Sequence, residues 1–221
     1  MEQDGEKKRR SRLTPEQLAE KYEAMSRYEQ SAASQGYCRI AGMDEAGRGP
    51  LCGPVCAAAV ILPRGVEIAG VNDSKKLTEK KREALFDEIT ARAAAYSIAA
   101  ASVAEIDEMN ILRAAMLAMR RAAEGLSVKP DLALVDGNCD PGLGFATQTI
   151  IGGDGRSASI AAASILAKVA RDRYMKELDQ KYPEYRFAQH KGYGTRLHYE
   201  MLERYGPSPV HRRTFLKKLL K

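Results

Sequence analysis

Met43–Val55 reads MDEAGRGPLCGPV. It sets two adjacent acids, Asp44 and Glu45, ahead of a Gly-Arg-Gly turn, and an apolar run, VCAAAVIL, follows Pro54. A hydrophobic core has no use for side-by-side acids, because burying an unpaired carboxylate is costly. A divalent cation does, and backbone N–H groups freed by glycine can grip a phosphate or sugar beside it. The flanks read as strands: YCRIAGMDEAG (37–47) and PVCAAAVILP (54–63). Two strands joined by so short a turn pair antiparallel.

Upstream, Thr14, Pro15 and Gln17 form a helix start with a cap, a first-turn proline and a capping-box glutamine. That helix is expected to run to about Ser31, as an appendage of residues 1–35 on a single domain of 36–221. Downstream, Thr78 caps a charged helix with Leu85, Phe86 and Ile89 inward. AAYSIAAASV (94–103) suits a third strand, Ser102 and Glu105 form a second capping box, and Asn110 caps ILRAAMLAMRRAAEGL. LALVDGN (132–138) and ATQTIIGGDG (146–155) read as two further strands, and the Ala-rich SASIAAASILAKVARDRYMKEL (157–178) as a long helix. The class is α/β, a mixed sheet flanked by helices.

The two later strands also end in acids, Asp136 before Gly137 and Asp154 inside GGDG. Ligands of open α/β sheets gather beyond the carboxyl ends of strands, so the four carboxylates can converge on one site. Hard oxygen ligands in this number select Mg²⁺ or Mn²⁺ over zinc. The competing reading of each later acid is a turn aspartate bonded to its own backbone. A geometric condition stands: successive strand residues face opposite ways, so Asp44 and Glu45 share a site only where the chain bends or two metals are served.

Composition narrows the class. The 221 residues are 44% hydrophobic and 29% charged, ordinary for a globular protein. No apolar run reaches the roughly 20 residues of a membrane span, and MEQDGEKKRR lacks a signal-peptide core. A cytoplasmic monomer is the expectation. The four cysteines show no CxxC spacing and are expected to be reduced, half-buried thiols. The net charge of +6 permits a nucleic-acid partner. RRTFLKKLLK (212–221) and KKRR (7–10) read either as nucleic-acid contacts or as solvated segments.

MDEAGRGPLCGPV, NDSKKLT, LVDGN, GGD followed by SIAAASILAKVARD, and FAQHKGYGT resemble, in order, the blocks of type 2 ribonuclease H (ribonuclease HII) of bacteria. They span positions 40 to about 211. The resemblance implies an RNase H-like mixed sheet with a C-terminal helical part and a short N-terminal helical extension. It implies an endonuclease that cuts the RNA strand of RNA–DNA hybrids and cuts 5′ to single ribonucleotides embedded in duplex DNA. The products would carry a 3′-hydroxyl and a 5′-phosphate, by two-metal catalysis with Mn²⁺ or Mg²⁺.

The family's four catalytic acids fall on Asp44, Glu45, Asp136 and Asp154, with Asp172 left to a salt bridge. Backbone groups of Gly47, Arg48 and Gly49 would touch the 2′-hydroxyl, and Tyr193 would pack on the neighbouring deoxyribose to sense the junction. Ser74, Lys75, Lys76, Lys168, His190 and Lys191 are candidate phosphate contacts; the alternative for each is a solvated surface group. A sliding clamp is a candidate partner for the basic C-terminal segment. Competing readings are a ribonuclease HIII-like nuclease and a non-catalytic hybrid binder. A nucleotide enzyme would carry GxxxxGK[ST] or GxGxxG, and neither is present.

Overall fold

The computed structural model describes residues 14–217, so KKRR and positions 218–221 lie outside the described residues. The helices are α1 (Pro15–Met25), α2 (Arg27–Ser34), α3 (Glu79–Arg92), α4 (Val103–Met109), α5 (Ile111–Glu124), α6 (Ala158–Lys181), α7 (Phe187–His190) and α8 (Arg196–Tyr205). The strands are β1 (Ile40–Ala46), β2 (Val55–Ile61), β3 (Ala95–Ala101), β4 (Leu132–Asp136) and β5 (Ala146–Ile150). Among the described residues they form one sheet in the order β3-β2-β1-β4-β5. β1 pairs antiparallel with β2 and parallel with β4, and β4 pairs parallel with β5.

Local chemistry sets the helix starts. Thr14 and Ser102 close capping boxes, Thr78 accepts from the Lys81 N–H, and Asn110 accepts from Leu112 and Arg113. The expected single N-terminal helix is instead two. Ser26 interrupts it, its hydroxyl donating back to the Tyr22 carbonyl, a bond that competes with the helix ladder. Phe86 is only partly buried, with the Arg173 guanidinium over its ring, 4.3 Å from the centroid.

The sheet is covered on both faces, and alanine sets the spacing. On one face Ala57 and Ala59 of β2 meet Ala114, Ala115, Ala118 and Ala122 of α5. On the other, Ala58 meets Ala161, Ala162 and Ala163 of α6. Small side chains let helix and sheet approach closely, and Gly42 of β1 takes this to its limit. A Cβ there would overlap the backbone of Ser159 and Ile160 in α6. Asp44, two residues further along the same strand face, is thereby set against α6.

Candidate active site

Register brings two of the acids together. In the parallel β1–β4 pair Met43 lies beside Val135, so Asp44 and Asp136 come next in step at adjacent strand ends. Met43 and Val135 face α5, which turns Asp44 and Asp136 to the α6 side. Asp136 also organises the turn after β5: its Oδ1 accepts from the Gly153 N–H at 2.7 Å and from Asp154 N–H at 3.4 Å. A left-handed Gly152 (φ 66°) starts that turn and delivers Asp154 to the same end of the sheet. Glu45 faces the other way, with its Oε1 3.3 Å from Arg48. Pairing with β2 continues to Ala46, so the chain does not bend to bring Glu45 round.

Electrostatics shows that the four acids share one field. Asp44 is only 5% exposed. Burial, then the charges of Glu45 and Asp136, push its carboxyl well above the ordinary range, against the opposing Ser164 hydroxyl and Glu45 N–H. Burial also raises Glu45, with Asp136 adding and Arg48 and Lys75 opposing. Asp154 is raised by burial and by the charges of Asp73 and Asp136, with Lys75 and Lys76 opposing. A site that disfavours its own negative charge in this way is suited to a cation. Hard oxygen donors suit Mg²⁺ or Mn²⁺, so the residues present fit such an ion.

Asp73 is a further acid that motif reading passed over. It caps the turn at Ser74–Lys76, accepting from the Lys75 N–H at 2.9 Å, and its other oxygen lies 3.3 Å from Lys76 Nζ. Lys75 is exposed, with its Nζ 4.0 Å from Asp154. Burial works against its charge, yet Asp154, Asp44, Asp73 and Asp136 together hold its pKa above the usual value.

The Gly47–Pro54 loop stands beside the acids, held from beneath by a residue the sequence reading assigned to a basic tail. Arg212 is wholly buried. All five of its N–H donors reach loop carbonyls: Gly53 at 2.9 Å, Arg48 at 3.0 Å, Pro50 at 2.7 Å, Gly47 at 2.7 Å and Pro54 at 3.1 Å. Arg171 adds bonds to the carbonyls of Pro54, Lys191 and Cys52. With its carbonyls turned inward, the loop leaves the N–H groups of Arg48 and Gly49 without a partner among the described residues. Gly47 has φ 99°, and a Cβ on it would collide with the Arg171 side chain. Over the loop stands Tyr193, 43% exposed, its Cε1 3.8 Å from where a Gly49 Cβ would lie.

The remaining sequence candidates divide. Ser74 is buried and its hydroxyl accepts from Ser164. Lys168 is largely buried in an ion pair with Asp172 at 2.6 Å, and Asp172 also faces Arg82 at 3.6 Å, the salt bridge expected of it. Lys191 takes a left-handed conformation at the end of α7, its carbonyl held by Arg171. His190 lies inside the protein, with Nε2 on the Tyr185 carbonyl and Nδ1 accepting from the Gly192 N–H. A cavity of about 630 Å³ lies elsewhere, between α1, α2 and the Leu62–Glu67 loop. The acids lie outside it, at the shared end of β1, β4 and β5.

A family model described as Ribonuclease HII matches residues 41–218. The chain belongs to the ribonuclease HII family. The ribonuclease HII of Caldicellulosiruptor bescii is 56% identical over 192 residues, covering 87% of this chain and 93% of the relative. Among solved structures, the ribonuclease H2 from Pyrococcus horikoshii OT3 is 31% identical, with a TM-score of 0.66, over 80% of this chain and 93% of that one. The structure of the PCNA:RNase HII complex from Archaeoglobus fulgidus matches with 27% identity and a TM-score of 0.64, over 79% of this chain and 93% of that one. The fold is accordingly RNase H-like, and membership of the ribonuclease HII family makes the chain a metal-dependent endoribonuclease of the ribonuclease H class.

Proposed function

We propose that the chain cuts the RNA strand of RNA–DNA hybrids and cuts 5′ to single ribonucleotides in duplex DNA, leaving a 3′-hydroxyl and a 5′-phosphate. The observation that carries this reading is the convergence of Asp44, Glu45, Asp136 and Asp154 on one sheet end beside a loop with outward N–H groups. Asp44, Glu45, Asp136 and Asp154 would hold Mg²⁺ or Mn²⁺, which, when two ions are bound, would supply activation of the attacking water and charge stabilisation at the departing 3′ oxygen. The opposite facing of Asp44 and Glu45 on an unbent strand supports two ions over one. Arg48 and Gly49 offer N–H donors to the 2′-hydroxyl, the group that separates RNA from DNA in sugar chemistry. Gly47 and Gly49 keep the loop bare enough for the sugar to approach. Tyr193 packs its exposed ring on the next deoxyribose. Lys75, Lys76 and Lys191 contact phosphates, positioning the duplex and making binding salt-dependent.

The proposal extends to organisation. Residues 1–35 are an extension on a catalytic domain of 36–221, which works as a monomer in the cytoplasm. The Archaeoglobus neighbour is a PCNA:RNase HII complex; for this chain a sliding-clamp contact through the basic C-terminal segment is part of the same proposal. The deciding experiment uses an end-labelled DNA duplex with one ribonucleotide, in Mg²⁺, Mn²⁺ and EDTA. A single metal-dependent cut 5′ to the ribonucleotide is expected. Cutting of continuous hybrid alone would remove the single-ribonucleotide reading, and no cutting of either substrate by folded, duplex-binding protein would remove the catalytic one.

A further inference from the structure

The chain has three histidines, His190, His198 and His211, and all three are buried together. His190 ends α7, His198 lies on α8, and His211 follows the Ser208–Val210 turn. The rings of His190 and His198 stack with centroids 4.2 Å apart, and Phe187 stands edge-on to both. Their ring nitrogens form a chain with one consistent proton assignment. The Ser208 N–H points at His211 Nδ1 at 2.9 Å, so that nitrogen carries a lone pair and the proton sits on Nε2. His211 Nε2–H then donates to His198 Nε2 at 3.0 Å. His198 is left with its proton on Nδ1, which donates to the Tyr193 carbonyl at 3.0 Å.

This chain ends on the main chain of Tyr193. The same residue's N–H donates to the His190 carbonyl at 2.9 Å, and its carbonyl also accepts from the Thr195 N–H at 2.8 Å. The Gly192 N–H before it is taken by His190 Nδ1. The backbone of Tyr193 is thus fixed on both sides, while its ring is left to solvent above Gly49.

We infer that His211 and His198 are positioning residues, a neutral imidazole relay that fixes the Tyr193 main chain so that its ring stands at one height over the Gly47–Gly49 loop. The inference rests on the reading of Tyr193 as the ring that senses the RNA-to-DNA junction. A ring that must meet one sugar of a duplex needs a fixed backbone, since a 1 Å misplacement can cost about 100-fold in rate. The relay fits this need better than a metal site would. Cys52 Sγ and the ring nitrogens of His198 and His211 do lie within 4.8 Å of one another, a donor set soft enough for zinc. The Ser208 N–H, however, leaves His211 Nε2 protonated, with no lone pair for a cation. The relay works by hydrogen bonding alone.

The test is a double-mutant cycle on a DNA duplex with one ribonucleotide, using the full chain. His198→Phe keeps the ring and its stacking but removes the donor to Tyr193. It is expected to lower kcat/KM by about 10- to 100-fold. His198→Asn, whose amide nitrogen reaches the height of Nδ1, is expected to recover most of that loss. In a Tyr193→Ala background His198→Phe is expected to cost nothing further, since the two act as one unit. A full additional loss in that background overturns the relay. An unchanged rate for Tyr193→Ala alone fails the junction reading instead, and takes the relay's purpose with it.

The wild-type protein gives a readout that does not depend on how the variants fold. Nitrogen-15 ring spectra at pH 7 should place the proton on Nδ1 of His198 and on Nε2 of His211, and metal analysis of protein purified without chelator should find no zinc. The reverse tautomers, or one equivalent of zinc, would overturn the proposal.

Discussion

Asp44 is nearly sealed from water, faces Asp136 across a strand pair and has Glu45 as its neighbour in sequence. Its charge is disfavoured in the folded chain until a cation arrives. Asp44→Asn should therefore abolish cleavage, by at least about 10³-fold, the scale on which a main electrostatic contributor acts. The same change should leave the metal-free melting temperature unchanged or higher, because it removes a buried, repelled charge. It should also lose the stabilisation that Mn²⁺ gives the wild type through preferential binding to the native state. Thermal melts with and without Mn²⁺ separate these effects, and a folded variant that still turns over would remove the metal-site argument. Arg212 poses the opposite problem, a buried cation with carbonyls as its partners. Arg212→Lys keeps the charge but offers three donors where five carbonyls wait. Two unpaired carbonyls should cost about 3 kcal/mol, or roughly 6–12 °C in melting temperature. A melt within a degree of wild type would mean that the loop holds itself.

At the scale of elements, α6 is the spine of the site, and the N-terminal extension caps it. Glu29 of α2 reaches the first turn of α6, its Oε1 accepting from Ser157 Oγ at 2.6 Å, Ser159 N–H at 2.9 Å and Ser159 Oγ at 2.6 Å. A carboxylate suits a helix N-terminus, where unpaired N–H groups and the helix dipole favour negative charge. Glu29→Ala should lower stability by about 2 kcal/mol, and Glu29→Gln, which keeps an acceptor, by less. Calorimetry of the two variants checks the order, and an unchanged Glu29→Ala melt would leave the extension with no hold on α6. Elements also show what was legible. Thr14, Thr78, Ser102 and Asn110 announce their helices because a cap is written within three residues of its target. The pairing of β1 with β2 was legible for the same reason, from a short turn between apolar runs. Glu29 acts 128 to 130 residues along the chain, and Arg212 acts 158 to 165 residues away. No periodicity carries such distances, so Arg212 read as part of a basic tail and nothing singled out Glu29. Gly42 was silent in the same way, since nothing beside it in sequence shows that α6 will lie against it.

For the molecule as a whole, the histidine cluster ties α7, α8 and the 208–212 segment to the active-site loops, so its protonation bears on global stability. Burial pushes His198 and His211 down to about 4; His190 adds to this for His198, and His198 and His190 add to it for His211. In the unfolded chain the same groups titrate near 6.5. Between those values the unfolded state binds protons that the native state refuses, so stability rises with pH there. The contribution is fully present above about pH 6.5 and is lost as pH falls toward 4. The neighbours do not compensate. The Cys52 thiol stays neutral, burial raises the Tyr185 phenol, and His190 is itself lowered. Two groups with shifts of this size represent several kcal/mol, a large share of the roughly 5–15 kcal/mol that holds a typical domain together. The raised acids at the metal site act with the opposite sign, so the histidine effect must be read as a difference between proteins. Melting temperature from pH 7.5 to 4.5 should fall more steeply for wild type than for His198→Asn, whose amide does not titrate. Parallel curves would mean that the histidines take up their protons without unfolding the chain, and that the buried relay opens more easily than its hydrogen bonds imply.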